Sequence, residues 1–368
     1  MWAGCLSGHQ AWIEACSFSE SVRRLASCSG DGTVRVWDVE ERQCVATLSG
    51  HTAEVWSCHW HPKNANLLCS TSSDKSVIVW DVERERRLFT LEEHEDTVWC
   101  CRFSPDGLLL ISTSSDKTAK LWSCDQLPIC RPQLLTTLER RDDALEFAEF
   151  SPDCRFLCTV CRDGNIRLWK VERREKDLGI VEEHVDGCES LYRDEDKMLS
   201  RELSPVCESP RSVEGVLCEM SEDMLYVGLY CQLKRKRAWV RACAFSEFRF
   251  HRLATCSNDG RICIWDTKKR RLIHELCGHT NIVWSCAFLS VKDHGLLLVS
   301  CSSDQTLRFW NPDSGQSVQV IGGLSEHVSC QLFSCCFSPN GRMCALGGDD
   351  GKIHLLDVNA CLCEPKQK

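Results

Sequence analysis

The fold of this chain is decided by the stretch LASCSGDGTVRVWDVE at residues 25–40, because six further copies of it follow. The copies are LCSTSSDKSVIVWDVE (68–83), LISTSSDKTAKLWSCD (110–125), LCTVCRDGNIRLWKVE (157–172), LATCSNDGRICIWDTK (253–268), LVSCSSDQTLRFWNPD (298–313) and CALGGDDGKIHLLDVN (344–359). In each copy an aspartate stands six residues before a tryptophan, which is a leucine in the last one. A fixed period of about 20–50 residues indicates a repeat architecture.

Each repeat contains the signals of four short strands. The run VWCCRFS (98–104) meets the turn Pro105-Asp106-Gly107, and two more β-prone runs flank the turn at Ser115-Asp116. A fourth run, such as CVATLSG (44–50), precedes a Gly-His or Glu-His pair. Short β runs with closely spaced turn signals predict an all-β fold.

Composition excludes several classes of protein. The 368 residues carry a formal net charge of -9, whereas nucleic-acid binding needs a basic face, so we expect no nucleic-acid partner. The first residues show no signal-peptide pattern, and no apolar run reaches about 18 residues, so we expect neither secretion nor a membrane span. The 29 cysteines are an odd number and predict free thiols in an intracellular protein, cytoplasmic or nuclear. Cys158 and Cys161 have metal-like spacing but no second pair, so we expect no metal and no cofactor.

The repeats resemble the WD-repeat β-propeller family, with Gly-His near the start and Trp-Asp near the end of a repeat. The resemblance implies a closed seven-bladed propeller of four-stranded antiparallel blades, with one partly flexible insert. It covers one domain, 1–358, followed by a C-terminal tail at 359–368. The repeats are expected to end near residues 38, 81, 123, 170, 266, 311 and 357.

The resemblance also implies a hydrogen-bonded tetrad of His, Ser or Thr, Asp and Trp within a blade. Buried indole, hydroxyl and imidazole groups must each find a partner, and a closed chain of them provides one. Four repeats have the full set: His9, Ser27, Asp31 and Trp37; His51, Ser70, Asp74 and Trp80; His94, Ser112, Asp116 and Trp122; His279, Ser300, Asp304 and Trp310.

Three repeats depart from this pattern, and we expect their blades to be less rigid. The fourth has Arg141-Asp142 in place of the His, the fifth has its Glu-His at His184, and the seventh keeps His327 but has leucine at the hydroxyl and Trp positions. A catalytic set would not be copied around a ring, and no nucleophile, phosphate-loop or zinc-protease motif is present. We therefore predict that the protein is not an enzyme and has no small-molecule substrate.

The two ends of the chain compete to complete the last blade. The seventh repeat supplies three strands, and the apolar run Trp2 to Leu6 lies where a fourth would be needed. A strand at Ala360–Cys363 is the alternative. Ring closure removes free sheet edges, which favours the N-terminal strand.

An internal alignment of the repeats predicts a partner-binding rim. The residue four before the aromatic that ends each first strand is, in turn, Glu14, Trp56, Trp99, Glu146, Arg241, Trp284 and Phe333. A position that accepts Glu and Arg is not fully buried in every blade, and the resemblance places it at the top of the central channel. Exposed Trp and Arg are common interface anchors, whereas packing between blades is the alternative for the tryptophans.

The segment 185–237 is predicted to be an acidic insert within the fifth repeat, leaving the ring at the top face. It contains the candidate proline-directed phosphosites Ser204 and Ser209 and ends in the basic run KRKR (234–237). That run is either a nuclear-import patch or a solvated charge run.

These observations predict a non-catalytic scaffold that binds partner proteins or peptides on its top face. One alternative is a substrate receptor of a cullin-RING ubiquitin ligase, with Trp265, Asp266 and Lys268 as adaptor contacts. Another is a regulatory propeller of a larger signalling complex.

Overall fold

The computed structural model describes residues 2–138, 143–175, 207–208, 215–220, 223–234, 238–247, 251–291, 295–322 and 330–363. Its strands form seven antiparallel sheets, the blades of a closed propeller. Within the parts of the chain described, no helix has the length and apolar content needed to cross a membrane.

The strands follow one another from the inner to the outer edge of each blade. The first strand of the chain is β1 (Trp2–Ser7). Blade one contains β2 (Ile13–Phe18), β3 (Arg24–Ser29), β4 (Thr33–Asp38) and β5 (Gln43–Ser49). Blade two contains β6 (Val55–Trp60), β7 (Leu67–Ser72), β8 (Val77–Asp81) and β9 (Arg86–Leu91). Blade three contains β10 (Val98–Phe103), β11 (Leu109–Ser114), β12 (Ala119–Ser123) and β13 (Gln133–Leu138).

The fourth blade is larger than the others. It contains β14 (Leu145–Phe150), β15 (Phe156–Cys161), β16 (Asn165–Glu175) and β19 (Asp223–Lys234), and β19 also pairs with β17 (Cys207–Glu208) and β18 (Gly215–Glu219). Blade five contains β20 (Val240–Phe245), β21 (Arg252–Ser257), β22 (Ile262–Asp266) and β23 (Arg271–Leu276). Blade six contains β24 (Val283–Val291), β25 (Gly295–Ser302), β26 (Thr306–Trp310) and β27 (Ser317–Gly322). Blade seven contains β28 (Leu332–Phe337), β29 (Met343–Gly348) and β30 (Lys352–Asp357), and the helix α1 (Val358–Cys363) follows it.

The N-terminal strand closes the ring. β1 pairs antiparallel with β30, from Trp2 opposite Leu356 to Ser7 opposite Lys352, and so becomes the outer strand of blade seven. The alternative strand at Ala360–Cys363 is wrong, because those residues belong to α1. Val358 and Cys361 of this helix are buried against the core of blade seven.

The insert lies elsewhere than predicted. Asp223–Lys234, placed within the predicted insert 185–237, forms the outer strand of blade four and pairs with β16 along its whole length. The inserted segment therefore joins the third and fourth strands of blade four, and it starts on the face opposite the predicted top face, because antiparallel strands alternate in direction. The strand signal that the prediction overlooked is the alternation of the buried residues Leu225, Val227, Cys231 and Leu233.

Apolar clusters fill the space between neighbouring blades. One of them joins Leu6 and Leu355 of blade seven to Ile13, Leu25 and Trp37 of blade one. Each blade is therefore stabilised mainly through its two neighbours, as expected for a repeat protein. Closure at β1 gives the first and last blades a neighbour as well.

The same turn holds the aspartate that stands six residues before the Trp position in every repeat. The residue after that aspartate has a positive φ in all seven blades, at Gly32, Lys75, Lys117, Gly164, Gly260, Gln305 and Gly351. Glycine adopts this left-handed conformation without the steric cost that a side chain adds. The turn therefore imposes a cost on the three blades that have Lys or Gln there.

Candidate functional site at the mouth of the central channel

A β-bulge recurs at one position in the innermost strand of all seven blades. In each case the strand register shifts across a single residue, for example between Ile13 and Ala15 in β2 and between Val55 and Ser57 in β6. The seven residues at these shifts are Glu14, Trp56, Trp99, Glu146, Arg241, Trp284 and Phe333. A bulge leaves its residue outside the ladder and redirects the side chain. The fold thus gives all seven predicted rim residues one common backbone feature.

The bulged residues converge on one cavity at the channel. All seven line a cavity of about 720 Å³. Trp12, Arg162 and Trp239 also line it and were missed from the sequence. The same internal alignment, taken two residues earlier, would have found Trp12 and Trp239, each of which immediately precedes a first strand.

The half-buried tryptophans of the rim pack on aromatic rings across blade boundaries. The ring centroids of Trp56 and Trp99 are 4.6 Å apart, and those of Trp284 and Phe333 are 5.3 Å apart in an edge-to-face arrangement. These rings thus pack between neighbouring blades and also form part of the cavity wall. Partner binding at the rim stays a prediction.

Each rim tryptophan is fixed by one hydrogen bond. Its indole N–H donates to the serine hydroxyl just before the turn aspartate, over 2.7 Å in every case: Trp56 to Ser73, Trp99 to Ser115 and Trp284 to Ser303. A rigid aromatic surface loses little conformational entropy when a partner binds it.

Two guanidinium groups extend the aromatic surface. The Arg162 guanidinium lies 5.3 Å from the ring centroid of Trp99 and 4.5 Å from that of Trp239. The Arg241 guanidinium lies 3.6 Å from the ring of Trp239 and 4.5 Å from that of Trp284. Cations are attracted to aromatic faces, so Trp99, Arg162, Trp239, Arg241 and Trp284 form one continuous stack around part of the mouth.

The carboxylates of the mouth differ in their partners. Glu146 is buried and forms ion pairs with Arg162 and, over 3.4 Å, with Arg241. Glu14 has no hydrogen bond or ion pair among the described residues. Burial raises the pKa of Glu14 to about 7; the charge of Arg241 opposes this shift and that of Glu146 adds to it.

A third ion pair lies within the same cavity. Arg102 pairs with Glu149 over 3.4 Å and donates to the hydroxyl of Ser57 over 2.9 Å. Its guanidinium also lies 4.7 Å from the ring of Phe147. Burial raises the pKa of Glu149, while the Arg102 charge lowers it.

The structure brings together the residues of all four complete tetrads. In blade one, Nδ1 of His9 is 2.8 Å from the Asp31 carboxylate, and Nε2 is 2.8 Å from the Ser27 hydroxyl, which also accepts the Trp37 indole N–H over 2.8 Å. The corresponding distances in blades two, three and six are 2.7–3.0 Å. Ser27, Ser70, Ser112 and Ser300 are all 0% exposed, so none of these hydroxyls is accessible to a substrate.

The three departing blades retain parts of the pattern. Trp169 and Trp265 donate to Thr159 and Thr255 over 3.0 and 2.9 Å. In blade seven, where leucines replace the hydroxyl and the Trp, Nε2 of His354 lies 2.9 Å from the Asp350 carboxylate. Arg141, Asp142, His184 and His327, and the phosphosites Ser204 and Ser209, lie outside the described residues.

The predicted adaptor contacts separate into buried and accessible residues. Trp265 is 1% exposed and hydrogen-bonded within its blade, so its assignment as a contact residue is wrong. The Asp266 carboxylate is half-buried and accepts the backbone N–H of Lys269 over 2.7 Å. Lys268 is exposed at the edge of a second cavity of about 780 Å³ between blades four and five.

One group of described residues has the composition of a metal site. One ligand atom each from Cys330, Asp350 and His354 lie within 4.8 Å of one another. Burial raises the pKa of the Cys330 thiol to about 12. Cys158 and Cys161 belong to two different apolar clusters, on opposite faces of β15.

This ring of braced blades, with a bulged rim around its channel, is the architecture of a WD-repeat propeller, and comparison with known families agrees. The family model described as "WD domain, G-beta repeat" matches residues 3–38, 42–81, 85–123, 133–170, 229–266, 270–311 and 316–357. The chain belongs to this family, whose fold is typical of protein-interaction scaffolds.

Similar proteins match this chain over limited segments. WD repeat and SOCS box-containing protein 1 of Homo sapiens is 40% identical over 107 residues, 27% of this chain and 24% of that protein. WD repeat, SAM and U-box domain-containing protein 1 of Danio rerio is 34% identical over 137 residues, 36% of this chain and 26% of that protein. Nuclear distribution protein PAC1 of Arthroderma otae is 32% identical over 120 residues, 31% of this chain and 25% of that protein. The matched segments thus span about a quarter of each relative.

Proposed function

We propose that this propeller is a non-catalytic interaction module that holds a segment of a partner protein at the mouth of its central channel. The observation that carries the proposal is the convergence of seven bulged residues on one cavity of about 720 Å³. That volume is within the range of ligand sites, about 300–1,000 Å³. Rigid Trp and Arg side chains, which line much of this cavity, are the residues most often found as interface anchors.

The proposal is tested by removing the aromatic surface while leaving the blades intact. Affinity purification of the wild type and of the double variant Trp56→Ala/Trp99→Ala, followed by mass spectrometry, compares their partners. Trp80→Phe is the matched control, because it removes a buried tetrad hydrogen bond in the same blade and leaves the rim unchanged. We expect the rim variant alone to lose a specific set of partners. Equal partner sets for all three proteins would contradict the proposal.

A second candidate function is substrate receptor of a cullin-RING ubiquitin ligase. It is supported by a relative whose name joins WD repeats to a SOCS box. The accessible residues on which it depends here are Asp266 and Lys268. Co-purification of a ligase adaptor that is lost in Asp266→Ala/Lys268→Ala and retained in the exposed neighbour variant Lys269→Ala would support this function. Absence of any adaptor from the wild-type preparation would contradict it.

We propose an intracellular location, cytoplasmic or nuclear. The described cysteines are free, and most of them are buried. Buried free thiols in this number are typical of a reducing compartment.

A further inference from the structure

At the channel mouth, one carboxylate has no direct ion pair. The cavity is lined by three glutamates and three arginines. Arg102 pairs with Glu149, and both Arg162 and Arg241 pair with Glu146. Every arginine of the cavity is therefore engaged elsewhere, while Glu14 has no ion pair or hydrogen bond within the described part of the chain.

The aromatic rings of the cavity also fall into two groups, those with a guanidinium over the ring and those without one. Trp99, Trp239 and Trp284 have a guanidinium over their rings. Trp12, Trp56 and Phe333 have no such cation among the described residues. Trp56 and Phe333 are the bulge residues of the two blades beside that of Glu14. Trp12 is 38% exposed and stands two residues before Glu14.

An unpaired carboxylate in a confined site is unfavourable, and a cation that enters relieves its cost. Aromatic rings that line the same cavity attract a cation further. On these grounds we infer that the ligand at the channel mouth is a basic side chain of a partner segment, arginine or lysine, held against Glu14 between Trp12, Trp56 and Phe333. This inference rests on the proposed function and adds the chemical class of the ligand.

The test uses the full chain and synthetic peptides. Seven-residue alanine peptides carry arginine, lysine, trimethyllysine, citrulline or norleucine at the central position, and tryptophan fluorescence measures their Kd. Citrulline keeps the shape of arginine without its charge. We expect the best of the three cationic peptides to bind at least about tenfold more tightly than the neutral ones, which corresponds to about 1.4 kcal/mol. The ranking among those three distinguishes a guanidinium, an ammonium and a methylated ammonium ligand.

Protein variants complete the experiment. Glu14→Gln is expected to reduce binding of the cationic peptide about tenfold, whereas the exposed control Glu20→Gln leaves it unchanged. Because Glu14 has no direct ion pair or hydrogen bond, the melting temperature of Glu14→Gln is expected to be no lower than that of the wild type. A loss of peptide binding by this variant would then not be caused by unfolding. Equal affinity for citrulline and arginine peptides, unchanged binding by Glu14→Gln, or no detectable binding of any peptide would overturn the inference.

The outcomes separate this inference from the proposed function. If Trp56→Ala/Trp99→Ala removes cellular partners while Glu14→Gln retains them, the channel mouth is the binding site and the basic ligand is wrong. If both variants retain all partners, the proposed function itself fails.

Discussion

The substitution Leu6→Ala tests whether the N-terminal strand holds the ring closed. Leu6 lies in β1, pairs with Ile353 of β30 and is 1% exposed. Its side chain packs in the cluster that joins blades seven and one. If this cluster contributes to closure, the truncation must weaken the whole propeller.

The expected size follows from burial. Truncating a buried Leu to Ala costs about 2–5 kcal/mol of the free energy of unfolding. An unfolding entropy of about 2.1 cal/mol/K per residue gives about 0.8 kcal/mol/K for a cooperative unit of 368 residues. The melting temperature should therefore fall by about 3–6 °C.

Differential scanning calorimetry of three proteins provides the measurement. Ser7→Ala, an exposed position in the same strand, is the control and should shift the melting temperature by less than about 1 °C. Deletion of residues 1–7 should lower it further than Leu6→Ala, because the outer strand of blade seven is then lost. Equal melting of Leu6→Ala and Ser7→Ala, or an unchanged curve for the deletion, would refute the role of β1 in closure.

Three further predictions concern the blades. Ser70→Ala leaves the buried Trp80 indole N–H without its acceptor, so the free energy of unfolding should fall by about 1–3 kcal/mol in guanidinium denaturation; an unchanged midpoint would be inconsistent with the tetrad as a brace. Lys75→Gly relieves a positive φ of 72° and should raise the same free energy by about 0.5–1 kcal/mol, whereas a decrease would show that the lysine side chain stabilises the turn. Burial lowers the pKa of His9, while the hydrogen bonds accepted by the carboxylate of Asp31 outweigh its burial and lower its pKa to about 2. Both pKa values lie below those of the unfolded chain, so these two groups stabilise the folded state at neutral pH and lose this effect on acidification. The loss begins below pH 6.5 for His9 and below pH 3.8 for Asp31. A melting temperature that does not change between pH 7 and pH 3 would contradict this.

The sequence predicts the fold well because the same pattern of strands and turns occurs in seven repeats. Spacing of the turn aspartates and tryptophans defines the number of blades, and the missing fourth strand of the last repeat points to the run at Trp2. The rim positions also follow from internal alignment, since equivalent residues of a repeat occupy equivalent places. The alignment does not reveal the β-bulge. The bulge explains why the side chain at this one position faces the channel.

Interactions between different repeats are less accessible to sequence analysis. The stacking of Arg162 and Arg241 against Trp239 depends on which blades are neighbours and how their rims approach each other. The position of the insert was mispredicted because the Glu-His pair at His184 was taken to follow the fourth strand, whereas the outer strand of blade four is Asp223–Lys234. In blade seven, His354 contacts Asp350 from within a strand, at a position where none of the other six repeats has a histidine.

The pairing of β1 with β30 has a consequence for synthesis on the ribosome. Trp2 leaves the exit tunnel long before its partner Leu356 has been translated. At about 5–20 residues per second, the nascent chain waits on the order of 20–70 s with this hydrophobic strand unmatched. Six blades can assemble during translation, but the seventh needs both β1 and β30 and forms only after Leu356 has been synthesised. Throughout that interval, β1 is an apolar strand without its pairing partner, which is the kind of segment that a chaperone binds.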